Sequence, residues 1–138
     1  MKANVKWIEN ISFLAVSGSG HAVLMDGAPE YGGNNHGPRP MEMLLMGTAG
    51  CTSVDVVNIL KKSRVEVQSC EVEITAERAE TEPKVFTKIN LHFKVKGKNL
   101  KSEQVERAVT LSAEKYCSAS IMLGKTAEIT HSIEIEAL

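Results

Sequence analysis

Apolar and polar positions change rhythm several times along the chain, and each change marks an element. Over residues 1–25, β-branched and aromatic runs (Val5-Lys6-Trp7-Ile8 and Ser12-Phe13-Leu14-Ala15-Val16) are parted by turn chemistry at Glu9-Asn10 and Gly18-Ser19-Gly20. The run His21-Ala22-Val23-Leu24-Met25 then resumes, so the segment predicts an antiparallel β-meander. From Asp26 to Pro40 the composition turns to Gly, Pro, Asn and Asp, which predicts a loop of about fifteen residues, either a plain connector or one that shapes a pocket.

Pro40 suits the first turn of a helix, where its missing N–H costs nothing. Residues 41–62 are apolar on nearly every face, which predicts a core helix enclosed by protein. Alternation returns over 65–96 and predicts a hairpin turned at Glu80-Thr81-Glu82-Pro83, with Gln68, Cys70, Val72 and Ile74 on its apolar face. A second helix is expected over 102–117, with Ser102 as its N-cap, Glu103 in its first turn and Val105, Val109, Ser112 and Tyr116 on one stripe. A final strand covers 127–136. The fold class is α+β.

Composition narrows this picture. A chain of 138 residues suggests one domain, and a net charge of -1 gives no field to attract nucleic acid or an anionic membrane. The N-terminal residues lack the pattern of an export signal, and the richest apolar stretch is interrupted by Glu42, Thr48, Ser53, Asp55 and Asn58. A cytoplasmic protein that does not span a membrane is expected. Three scattered cysteines do not make a disulfide framework.

Cys51 lies among small residues, Gly47-Thr48-Ala49-Gly50-Cys51-Thr52-Ser53, and each helical glycine costs about 1 kcal/mol relative to alanine. Either another backbone or ligand approaches there, or the cysteine is inert and tightly packed. A reactive thiol mid-helix needs a cation or donor from elsewhere, most naturally from the loop that holds His36 and Arg39. Cys70 reads as a packed thiol on a strand. His21, His36, His92 and His131 show no helical ligand spacing, and no Cys-x-x-Cys occurs, so no metal site is expected. Gly18-Ser19-Gly20 lies between strands and does not open a phosphate-binding helix.

The stretch from Gly37-Pro38-Arg39-Pro40 through Met41-Glu42-Met43-Leu44-Leu45 to Gly50-Cys51-Thr52 resembles the central-helix motif of the OsmC/Ohr family. Tyr116-Cys117-Ser118-Ala119-Ser120 is similar to that family's Cys-Pro-x-Ser motif. The resemblance covers essentially the whole chain and implies an OsmC-like fold, with β-sheets wrapped around two central helices in an intertwined homodimer whose active sites lie at the interface. It implies that Cys51 attacks an organic hydroperoxide and becomes a sulfenic acid, and that Cys117 resolves it to a disulfide, in oxidative-stress defence. Arg39, Glu42, His36 and Ser120 become supporting residues, and Met41, Leu44, Leu45, Met122 and Leu123 candidates for an apolar substrate wall. No bound cofactor is implied, only an external dithiol reductant, lipoyl groups among the candidates.

Some positions depart from the Ohr pattern. Met41 stands where the family's glutamate follows the proline, and Glu42 comes one residue later, about 100° around the helix. The N-terminal strands contain no arginine, and Ser118 replaces the second motif's proline. A small-molecule binding or redox-sensing protein on the same fold is the alternative, and other thiol chemistry such as persulfide handling is a third.

Overall fold

The computed structural model describes all 138 residues, and its internal packing falls into two compact units, Met1–Leu45 and Met46–Leu138, where the sequence suggests one domain.

In the first unit, β1 (Ala3–Glu9), β2 (Ser12–Ser17) and β3 (Ala22–Met25) form an antiparallel sheet in that order. Asn10 and Gly20 adopt positive φ in the two turns, where asparagine and glycine are the tolerant residues. Trp7 Nε1 donates to Asn10 O at 2.7 Å, pinning the first turn. Little of this sheet is covered within the unit, and Val5, Trp7, Ile8 and Phe13 are exposed.

The long helix α1 runs from Pro40 to Lys62. At its start the Arg39 N–H donates to Glu42 Oε1 at 2.9 Å, so the carboxylate satisfies an otherwise orphaned backbone donor. Within the single chain the helix is covered on one side only. Only Thr48, Thr52, Val56 and Leu60, one stripe at four-residue spacing, are buried, while Leu44, Met46 and Val54 are exposed. The two glycines, Gly47 and Gly50, have open space where a Cβ would sit, whereas Thr48 and Thr52 of the same small-residue cluster are buried. By length and composition alone α1 could cross a membrane, so its polar interruptions do not decide that question.

In the second unit, β4 (Glu66–Arg78) and β5 (Phe86–Lys98) pair antiparallel, and β6 (Glu128–Ala137) joins β5 parallel. A parallel neighbour requires a crossover, which here contains α2 (Ser102–Leu111) and the short α3 (Ser118–Leu123). Ile89, Leu91, Phe93 and Val95 of the central strand are buried, and the core they help to form includes Val56, Leu60, Val105, Ala108 and Val109. The other face is charged. Lys94–Glu73 (3.6 Å), Lys96–Glu136 (3.3 Å) and Lys98–Glu66 (3.6 Å) bridge neighbouring strands in solvent, where each pair contributes about 1 kcal/mol or less.

Two local irregularities alter the sequence-based faces. A bulge between Val67 and Ser69 turns Gln68 out to solvent and brings Val67 onto the side that packs on the core, so the apolar face reads Val67, Cys70, Val72, Ile74. Lys101, not Ser102, occupies the extended cap position of α2, and its N–H donates to Gln104 Oε1 at 3.1 Å. Beyond Leu111 the helix widens into a π turn, Ser112–Tyr116, closed by the Cys117 N–H on Ser112 O at 2.8 Å. The wider turn leaves Tyr116 half exposed, off the expected stripe, and buries Cys117 completely.

Leu60 is fully buried at the end of the α1 stripe. Leu60→Ala should lower unfolding free energy by about 2–5 kcal/mol in denaturant titrations, whereas Tyr116→Ala should cost far less.

Candidate functional site

Helix periodicity puts Cys51 and Asp55 one turn apart on the same face of α1, beside the buried Thr48–Thr52 stripe. Thr52 Oγ1 and Ser112 Oγ lie 2.7 Å apart, and Ser112 donates to Asp55 Oδ2 at 2.9 Å. Because Ser112 spends its proton on the carboxylate, Thr52 is the donor to Ser112. This chain fastens α1 to the first residue of the π turn, and five residues later the same turn delivers Cys117.

Cys117 has extended backbone and caps α3: its Sγ accepts from the Ser120 N–H at 3.4 Å, while Ser120 Oγ donates to the Cys117 carbonyl at 3.3 Å. The sulfurs of Cys51 and Cys117 and a carboxylate oxygen of Asp55 lie within 4.8 Å of one another. All three cysteines are free thiols. Burial pushes the Cys117 thiol up; the Ser120 contacts pull it back and the neighbouring Cys51 adds to the rise, so the net shift is upward. Cys51 is partly exposed. The arrangement therefore pairs one thiol that solvent can reach with one held neutral and covered. Burial also raises Cys70, which packs against the core at a position away from this pair.

Two clefts flank the pair within this unit. One, of about 340 Å³, is lined by Asp55, Asn58, Lys62, Arg107 and Tyr116 among others. The other, of about 540 Å³, includes Glu114, Ser120, Ile121, Lys125 and His131. His131 stacks on Phe93 with ring centroids 6.1 Å apart, and desolvation lowers its pKa.

Of the expected site residues, Cys51, Cys117 and Ser120 are brought together in one unit. Met122 and Leu123 belong to that unit but line neither cleft, and Met122 is largely exposed. His36, Arg39, Glu42, Met41, Leu44 and Leu45 belong to the first unit. There the Arg39 guanidinium donates to Asn35 Oδ1 (2.8 Å) and Gly37 O (3.1 Å), and Glu42 caps α1 rather than gripping that guanidinium. The His36 ring is exposed and sits 4.0 Å from Asp26.

Sequence reasoning missed Asp55, Thr52 and Ser112, although Cys51 and Asp55 at i and i+4 were a readable signal. It also missed Asp26, the organiser of the loop. This buried carboxylate accepts from the backbone N–H groups of Gly27 (2.7 Å), Asn34 (3.2 Å) and His36 (3.1 Å). Desolvation alone would raise it, but those donors prevail and hold it below its ordinary value; Ser12 adds to the lowering although its buried hydroxyl makes no bond of regular geometry. Gly33 and Gly37 permit the tight fold: a Cβ on either would strike the backbone of Gly27 or Leu24.

This topology, with paired cysteines on the central helix and at the end of the second, defines the class. The chain belongs to the OsmC-like family, whose pattern matches residues 32–132. It is similar to Protein YhfA of Escherichia coli K12, at 53% identity over 99% of both chains. Its fold is shared by an OsmC-like protein of Mycoplasma pneumoniae (16% identity, 97% of this chain and 95% of that one, TM-score 0.83). It is also shared by the organic hydroperoxide resistance protein OhrB of Bacillus subtilis (19% identity, 97% and 98%, TM-score 0.64).

A carboxylate with a lowered pKa stabilises the fold above its ordinary value, and that stabilisation fades as pH falls through the folded value. Amide exchange at Asn34 and His36, corrected for intrinsic rates, should therefore lose protection as pH drops below 3.8. Asp26→Asn should show reduced protection already at neutral pH.

Proposed function

We propose that the protein is a thiol peroxidase that reduces organic hydroperoxides. The observation that carries this reading is the approach of Cys51 and Cys117, 66 residues apart in sequence, to within 4.8 Å. Exposure supports giving Cys51 the attacking role and Cys117 the resolving one. The Cys51 thiolate attacks the outer peroxide oxygen, the O–O bond breaks, and the alkoxide leaves as alcohol after taking up a proton. The resulting Cys51 sulfenic acid condenses with Cys117, whose thiol is kept neutral and protected by burial until needed; a disulfide forms and water leaves. A disulfide needs its sulfurs about 2.05 Å apart, so Cys117, in extended backbone between the π turn and α3, has a short distance to travel. An external dithiol, a lipoyl group being one candidate, then restores both thiols.

We also infer a homodimer. The side of α1 bearing Leu44, Met46 and Val54 is exposed in the single chain, and a second copy is the apolar neighbour that such a helix needs. The names of fold relatives among organic hydroperoxide resistance proteins support the redox reading. A redox sensor is the competing reading, favoured by the anionic Asp55 beside the thiols and by the engagement of Arg39 with Asn35 and Gly37.

One equivalent of an organic hydroperoxide added to reduced protein should join Cys51 to Cys117 in peptide mass maps, leaving Cys70 free. In Cys117→Ser the reaction should stop at a Cys51 sulfenic acid trappable by a cyclic diketone. Intact thiols in both experiments would sink the peroxidase reading, and a disulfide without turnover under excess dithiol would leave the sensor. Sedimentation should show a dimer that Val54→Lys dissociates.

A further inference from the structure

We propose that the reduced thiol pair is also a zinc site, with Cys51 Sγ, Cys117 Sγ and the Asp55 carboxylate as ligands and one position left for water. The proposal rests on the proximity of these groups and not on the peroxidase reading.

Tetrahedral zinc, with bonds of about 2.3 Å to sulfur and 2.0 Å to oxygen, sets its ligand atoms about 3.5–3.8 Å apart. Here the three ligand atoms already lie within 4.8 Å of one another, so closing on the ion requires a shift of about an ångström, within the reach of side-chain rotation. The scaffold is fixed on both sides. Cys51 and Asp55 share one face of a regular helix, and Cys117 is held at the junction of the π turn and α3.

The outer contacts also fit. A metal-binding carboxylate is normally steered by a hydrogen bond to its other oxygen. Ser112, itself backed by Thr52, donates to Asp55 Oδ2 and so steers the carboxylate. Ser120, through its N–H, holds the Cys117 sulfur. Electrostatics point the same way. Within this unit no cationic side chain forms an ion pair with Asp55, and once metal binding ionises the thiols a dication offsets the charge of two thiolates and a carboxylate. Two soft sulfurs and one hard oxygen suit zinc, which accepts both donor types.

Binding displaces a proton from each thiol: two S–H bonds break, two Zn–S bonds form, and two protons enter solvent. Joining the sulfurs in a disulfide removes both thiolates, so zinc belongs to the reduced state alone. Within that state it shields the pair from oxidants and alkylating agents.

The test uses reduced, metal-free, full-length protein without oxygen, titrated with Zn²⁺ against a chromophoric chelator and, in parallel, with Co²⁺. Saturation at one metal per chain is expected, with thiolate-to-cobalt charge-transfer bands and the intense visible absorption of a tetrahedral ion. Asp55→Asn should weaken Zn²⁺ binding at least about tenfold and Ser112→Ala about ten- to a hundredfold; Cys70→Ser should leave it unchanged. Should the variants fail to fold, wild-type protein still decides: Zn²⁺ should slow alkylation of Cys51 and Cys117 but not of Cys70, and protein oxidised to the disulfide should bind none. The proposal is overturned by the absence of saturable binding, by affinity indifferent to Asp55→Asn, or by unaltered alkylation. Zinc binding without peroxide reactivity would overturn only the peroxidase reading, and the reverse result only this one.

Discussion

The interior hydrogen-bond chain from Thr52 through Ser112 to Asp55 is the constraint on which the site depends. It ties the middle of α1 to the place where α2 changes from α to π geometry. Ser112 is wholly buried, and a buried hydroxyl left unsatisfied costs about 1–3 kcal/mol, so the chain penalises any sliding of one helix on the other. An α-turn continued past Leu111 would have carried Cys117 further round the helix axis. The π turn inserts one extra residue per turn and sets Cys117 facing α1, and its break in helical backbone frees Cys117 to cap α3.

The elements carried by strong periodicity were legible in the sequence. The meander, the long loop, the 13-residue strands of the hairpin and the last strand all lie where alternation and turn residues place them. What escaped was geometry decided by a single backbone step. A bulge moved Gln68 across the sheet, and a π turn moved Tyr116 outward; both are one-residue insertions that leave the hydrophobic pattern almost intact. That β6 pairs parallel to β5 was equally hidden, because period-two alternation does not encode strand direction.

The site was legible in its sulfurs and illegible in its support. The motif resemblance led to Cys51 and Cys117, but the residues sought around them, His36 and Arg39, came from the expectation of a cationic activator. Within the second unit the groups beside the thiols are Asp55 and Ser120, with Ser112 and Thr52 behind Asp55. Short-range ligand spacing does not reveal the three-group cluster, since Cys117 lies 66 residues beyond Cys51 and 62 beyond Asp55. In the loop, the same bias toward the cation overlooked Asp26, whose buried charge is matched by backbone donors rather than by a basic side chain.

A carboxylate beside a thiol pair, as Asp55 is here, poses a different chemical problem from an arginine in that place. Arginine lowers the free energy of a thiolate directly, and it does so all the time. A carboxylate accepts protons and cations but does not stabilise an adjacent anion, so the charge that stabilises a thiolate has to come from another group. On the readings proposed above, the Cys51–Asp55 face of α1 would serve turnover while the carboxylate is free and restraint once a cation engages it, so a peroxidase and a sensor would differ in what occupies Asp55 rather than in fold.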